Sequence, residues 1–161
     1  MSYSYSRDDL KSILEYAAKL KDRSLREACG DEVINNSYIG KGNFGQILEK
    51  YYFHYEPNSV AEPDFHEIGV ELKTSPLKKN AKNQLSAKER LVLSIINYAD
   101  IVNQEFENSS FLIKNKHLLL ILYLHEKGID VLDYIIKLVG DWKIPDDDLL
   151  IIKSDWEKIQ N

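Results

Sequence analysis

Residues 117–124, HLLLILYL, limit the fold more than any other stretch of this sequence. The run has strand length and β-compatible residues, and it is apolar enough to be buried on both faces. A strand of that kind belongs inside a sheet that helices cover. Helical patterns are present on either side of it. Residues 8–28, DDLKSILEYAAKLKDRSLREA, put Leu10, Ile13, Leu14, Ala17, Ala18 and Leu20 on one face, with acids at the start where the helix dipole favours them, and a short second helix follows. GNFGQILEKYYFHY at 42–55 brings Phe44, Ile47, Leu48, Tyr51, Tyr52 and Tyr55 to helical spacing, and in the tail Pro145 and three acids precede another helical pattern.

The remaining strands are read from alternation. IGVELKTS at 68–75 alternates, and Pro76 is expected to end it; RLVLSIINY at 90–98 reads as a further strand. DVLDYIIKLVGDW at 130–142 fits helix or strand by pattern and is read as strand. Helices first, then strands, then a helix give an α/β class with a mixed β-sheet flanked by helices. With 161 residues, 43 % of them hydrophobic, the chain has material for one domain with a sizeable core.

Some classes are excluded at this level. The longest apolar run, seven residues at 118–124, is far below the roughly 20 that span a bilayer, so no membrane partner is expected. The start has no apolar core of signal-peptide type, and Cys29 alone cannot form an internal disulfide, which makes a cytoplasmic protein the simplest inference. The net charge of −5 argues against a generic polycation. A local basic strip nevertheless runs through Lys73, Lys78, Lys79, Lys82, Lys88 and Arg90 against Glu89 alone, and Lys78 and Lys79 are its candidate contacts to DNA phosphate. A solvated lysine loop is the plain alternative for that strip.

GKGNFG at 40–45 matches the G-x-G-x-x-G fingerprint in letters only. A dinucleotide-binding loop must follow a hydrophobic strand, and only SYI precedes Gly40; no G-K-S/T follows, and the H-R-D and D-F-G signatures of a kinase are absent. These glycines are read as letting a helix start pack closely.

EPDFHEIGVELKTSP at 62–76 carries the chemistry. Along an extended strand Glu71 and Lys73 emerge on one face while Val70 and Leu72 point to the other and anchor in the core. Asp64 lies seven residues before Glu71, enough for a bend that returns its carboxylate to Glu71. Two adjacent carboxylates repel unless protonated or bridged, and a hard divalent cation with oxygen ligands suits them, magnesium above all with manganese as a substitute. Phosphodiester hydrolysis needs a nucleophilic water, neutralisation of charge on the phosphorus oxygens and help for the leaving 3′ oxygen; a metal and Lys73 together address the first two. PDFHEIGVELK also fits the PD-(D/E)xK nuclease pattern.

At these residues the sequence resembles the MutH-like endonucleases, which comprise the mismatch-repair nickase MutH and type II restriction enzymes that cut at GATC. GKGNFGQILE resembles the family's K-G-x-x-G-x-x-L-E helix and DFHEIGVELKTSP its D-F-x-x-x-G-V-E-L-K-T-x-P strand; SSFLIKNKHLLL and IIKSDWEKI resemble later segments. The resemblance implies a PD-(D/E)xK restriction-endonuclease-like core, magnesium at Asp64, Glu71 and Leu72, Lys73 as catalytic lysine, and Glu49 as an ancillary carboxylate. It also implies Lys41 and Lys114 as active-site or phosphate-contacting cations, with Lys116 the rival for the Lys114 role. The four histidines show no metal-ligand spacing and are read as structural.

SAKERLVLSIINYADI and FENSSFLIKN are closer to the restriction enzymes than to the nickase, which implies cleavage of double-stranded DNA at GATC. Family members continue beyond the acidic-tryptophan helix, so residues 1–161 are expected to be a single catalytic domain, the N-terminal part of a longer enzyme whose DNA-recognition portion is absent, with dimerisation or a C-terminal DNA-binding domain supplying the rest. The alternatives are a mismatch-repair nickase, a non-catalytic DNA-binding module, and a structural domain in which Asp64→Ala would change no activity.

Overall fold

A computed structural model describes residues 4–31, 44–55 and 61–161. Among these residues the chain forms one four-stranded sheet, with β1 at Glu71–Lys79, β2 at Leu85–Ala87, β3 at His117–Leu124 and β4 at Ile136–Lys143, in the order β2-β1-β3-β4. β1 and β3 run parallel, and the two outer pairings are antiparallel, so the sheet is mixed. The parallel register sets Glu71 opposite Leu118 and Lys73 opposite Leu120.

β3 is interior, as its composition requires. Leu119 and Ile121 enter the large core built with α1 (Leu10–Ala18), α2 (Leu25–Cys29) and α3 (Phe44–Tyr51), while Leu118, on the other face, is equally buried. α1 starts at an Asp9 cap whose carboxylate accepts the Lys11 amide, and α2 at a capping box between Ser24 and Glu27. A second, smaller cluster of Ile101, Phe106 and Trp156 joins α4 (Tyr98–Ile101), α5 (Ser110–Asn115) and the C-terminal α6 (Asp146–Gln160). Asp146, Asp147 and Asp148 occupy the first turn of α6 directly after Pro145. No helix among the described residues is long and apolar enough to cross a membrane.

Three expectations change. Pro76 does not end β1, which runs on to Lys79. The Pro76 carbonyl accepts the Lys88 amide on the β2 side, so the N–H that proline lacks would also have faced that side, beyond the short β2 ladder and away from β3. The basic strip is a β1–β2 hairpin rather than a loop, its turn fastened by Asn80, which accepts from the Lys82 and Gln84 amides. Residues 91–97, apolar enough for a strand, pair with no strand among the described residues and leave Ile95 93 % exposed. Strand character in side chains does not make a strand where no ladder is offered. The reading of 130–142 as strand holds for Ile136–Lys143, and Val131–Asp133 forms a 3-10 turn.

Candidate active site

The bend before β1 brings the two acids together. Phe65 and Val70 exchange backbone hydrogen bonds at 2.8 and 3.2 Å, closing the turn, and Gly69 makes the reversal with φ of +69°, a conformation that L side chains resist. The Asp64 amide donates to Glu71 Oε2 at 3.0 Å, and the Leu72 amide donates to Asp64 Oδ2 at 2.9 Å. Because the Leu72 N–H points away from β3 toward Asp64, its carbonyl is turned to the same edge. Leu72 and Val70 are buried beneath, so the charged face stands on a packed base.

Two lysines converge on Glu71. Lys73 Nζ and Lys114 Nζ each lie 3.7 Å from Glu71 Oε1, and the Glu71 side chain is only 6 % exposed. Lys114 is carried by α5, which Ser109 caps by accepting the Leu112 amide. Lys116 lies elsewhere, in a groove with His117 and Lys143. Lys73 Nζ also donates to the Leu93 carbonyl at 3.0 Å, and the buried Asn115 donates to Ser94 Oγ at 2.6 Å. Segment 91–97 is thereby tied to both lysine-bearing elements, and it walls a cavity of about 530 Å³ that Lys73, Lys114, Phe111 and Trp156 also line.

Burial, then the neighbouring Asp64 charge, pushes the Glu71 carboxyl up to about 7, against the pull of Lys114 and Lys73. Glu49, on α3, is likewise pushed up to about 7, by burial first and then by Asp64 and Glu71. Burial also raises Asp64, opposed by the Leu72 amide, Glu71 and the two lysines. Fully ionised, three carboxylates against two ammonium groups leave an excess negative charge in a half-buried site. Among the described residues no set of three His, Cys, Asp or Glu side chains is disposed to hold a metal by itself. A pair of carboxylates and a backbone carbonyl, all oxygen donors, fit a magnesium ion that keeps several waters; Glu49 then stands outside the inner ligands.

The residues singled out in the sequence thus fall into three groups. Asp64, Glu71, Leu72, Lys73 and Lys114 meet, with Glu49 close enough to feel their charges. Lys78 and Lys79 are exposed on the hairpin, five and six residues past Lys73 and so up to about 20 Å along the strand. Lys41, and Gly40 to Asn43 of the glycine motif, lie outside the described residues. Sequence reading missed Arg7, whose Nη2 donates to the Asp64 carbonyl at 2.9 Å, and the Leu93 carbonyl that holds Lys73. Tyr55, placed from the sequence only by its helical spacing, carries a buried hydroxyl with no hydrogen-bond partner among the described residues. No motif or periodicity links these positions to the acids.

A mixed sheet flanked by helices, with an acid pair and a lysine at the start of an inner strand, defines a restriction-endonuclease-like fold. The family model described as DNA mismatch repair enzyme MutH matches residues 53–155. The type II restriction enzyme Sau3AI of Staphylococcus aureus is 41 % identical over 139 residues, which make up 85 % of this chain and 28 % of that protein. The DNA mismatch repair protein MutH of Shewanella woodyi is 30 % identical over 94 % of this chain and 64 % of its own length, and that of Buchnera aphidicola is 26 % identical over 94 % and 69 %. The chain belongs to the MutH family. It spans under a third of the staphylococcal enzyme and about two thirds of the repair proteins.

Proposed function

We propose that the chain is the catalytic unit of a magnesium-dependent endodeoxyribonuclease that hydrolyses phosphodiester bonds in double-stranded DNA, of the restriction type and directed to GATC. The observation that carries this reading is the meeting of Asp64, Lys73 and Lys114 at the Glu71 carboxylate, the Asp64 amide on Oε2 and the two lysines beside Oε1, next to a cavity that both lysines line. The restriction assignment over a nickase rests on the greater identity with the staphylococcal enzyme, and GATC on family resemblance.

Asp64, Glu71 and the Leu72 carbonyl would hold the magnesium ion, with Glu49 alongside. When bound, the ion lowers the pKa of a coordinated water and polarises the phosphate. The chain's own groups do the rest. Lys73, fixed between Glu71 and the Leu93 carbonyl, directs its ammonium at the attacking water or at the charge that builds on the phosphorus oxygens. Lys114 offers a second positive charge from α5 beside the same Glu71 oxygen. Lys78 and Lys79 are suited to phosphates further along the duplex, where exposed lysines act as salt-sensitive anchors.

The test is a supercoiled-plasmid nicking assay at low salt with magnesium or manganese, comparing the chain with Lys73→Ala on plasmids with and without GATC. Metal-dependent nicking that vanishes in the variant supports the nuclease reading, and preference for the GATC plasmid supports the site. Equal nicking by both proteins would remove Lys73 from the chemistry.

A further inference from the structure

Asp64 has three polar groups, and two separate parts of the chain hold them: the start of β1 through Glu71 and Leu72, and Arg7. Its carboxylate accepts the Leu72 amide, its amide donates to Glu71, and its carbonyl accepts from Arg7. Arg7 does more than make that one bond. Its Nε lies 3.8 Å from Glu67 Oε1 further along the same turn, and its guanidinium lies over the Tyr55 and Phe65 rings at 5.2 and 5.5 Å from their centroids. A planar fork on two aromatic faces has little freedom to swing away.

The segment that delivers Arg7 is itself anchored. Tyr5 is buried, donates through its hydroxyl to the Phe53 carbonyl at 2.7 Å and stacks on Tyr16 at 4.7 Å. Its ring also meets Phe65, the residue after Asp64, edge to face. The amino-terminal segment therefore clamps the acidic turn from outside, while β1 holds it from inside.

We propose that Arg7 is a positioning residue for the Asp64–Glu71 metal pair: by fixing the Asp64 carbonyl and Glu67 it sets the angle at which the Asp64 carboxylate meets Glu71. This rests on the nuclease reading of the same site. Partners that orient a ligand from behind typically alter metal affinity by roughly 10–100-fold when lost. Loss of Arg7 therefore raises the metal requirement rather than abolishing the chemistry.

The experiment titrates manganese into wild type, Arg7→Ala, Arg7→Lys, Asp64→Asn and Arg26→Ala by calorimetry, and records the metal midpoint and DNA KM of nicking well below each melting temperature. The expected result is at least about tenfold weaker manganese binding in Arg7→Ala. Nicking then recovers at saturating metal, DNA KM is unchanged, and Arg7→Lys falls in between. Arg26, which pairs with Asp133, controls for a general loss of stability, and Arg26→Ala keeps the wild-type midpoint. If Arg7→Ala does not fold, Arg7→Lys carries the comparison, since its ammonium cannot reproduce the stacked fork. A wild-type affinity and midpoint in a folded Arg7 variant overturns the proposal alone. Manganese uptake that is absent from wild type, or equal in Asp64→Asn, overturns the metal site and the proposal together.

Discussion

Leu72 donates its amide to the carboxylate of Asp64, so the strand that carries Glu71 also fixes the acid it must work with. Burial pushes both carboxyls toward protonation, Glu71 further because of the Asp64 charge, while the Leu72 amide works the other way and favours the ionised Asp64. Several measurable consequences come from that compromise.

Asp64→Asn keeps an oxygen that can accept from Leu72 but removes a charge from beside Glu71. Nicking should fall by about 10²-fold or more, the scale on which a preorganised electrostatic group counts in catalysis, while the metal-free melting temperature stays at or above wild type. Differential scanning calorimetry without metal gives the second half of the answer. A marked drop in melting temperature would mean that the charge was not under strain.

The pH dependence has a definite sign. Glu71 and Glu49 titrate near 7 in the folded chain against an ordinary 4.5, so between those values the folded state holds protons that the unfolded chain has released. The stability these groups contribute is fully present below about 4.5 and is lost as pH rises through 7. Magnesium or manganese competes with those protons, so its effect on melting temperature should be larger at pH 8 than at pH 6. Equal shifts at the two pH values would contradict the raised carboxyls.

The lysines should differ in kind. Lys73→Ala is expected to abolish detectable nicking. Lys114→Ala should lower nicking by about 10–100-fold and, by removing a cation from beside Glu71, move the pH profile to higher pH. Lys116→Ala should leave both rate and profile within about twofold, as expected of a substitution away from the site. A profile in Lys114→Ala that moves to lower pH would show that Glu71 does not govern it.

Gly69→Ala isolates the cost of the turn. A Cβ there would meet nothing within 4 Å, so only the φ of +69° resists it. The expected loss is about 1–2 kcal/mol, read from urea unfolding, and Gly69→Asn should lose less. A neutral Gly69→Ala would mean that the turn can relax into a right-handed conformation without disturbing Asp64.

Legibility in the sequence followed the range of the forces involved. β3 was readable because double burial needs an unbroken apolar run, and Glu71, Leu72 and Lys73 because strand alternation is local. Asp64 required only a short bend. Segment 91–97 misled because its side chains suit a strand, while no strand among the described residues offers it a ladder. Pro76 misled for the same reason in reverse, since the side its missing N–H would face is decided by neighbouring strands. Arg7 left no trace in the local pattern, since its bond to Asp64 spans most of the first half of the described chain.

The parallel register of β1 and β3 sets Glu71 across from Leu118, four residues after Lys114 on the helix that leads into β3. The gap between that acid and that lysine is therefore written in strand registration and not in the length of chain between them. Residues could be added to the β1–β2 hairpin turn without parting the two charges. A single-residue deletion between α5, which ends at Asn115, and β3, which starts at His117, would part them, so the link at Lys116 tolerates no change of length.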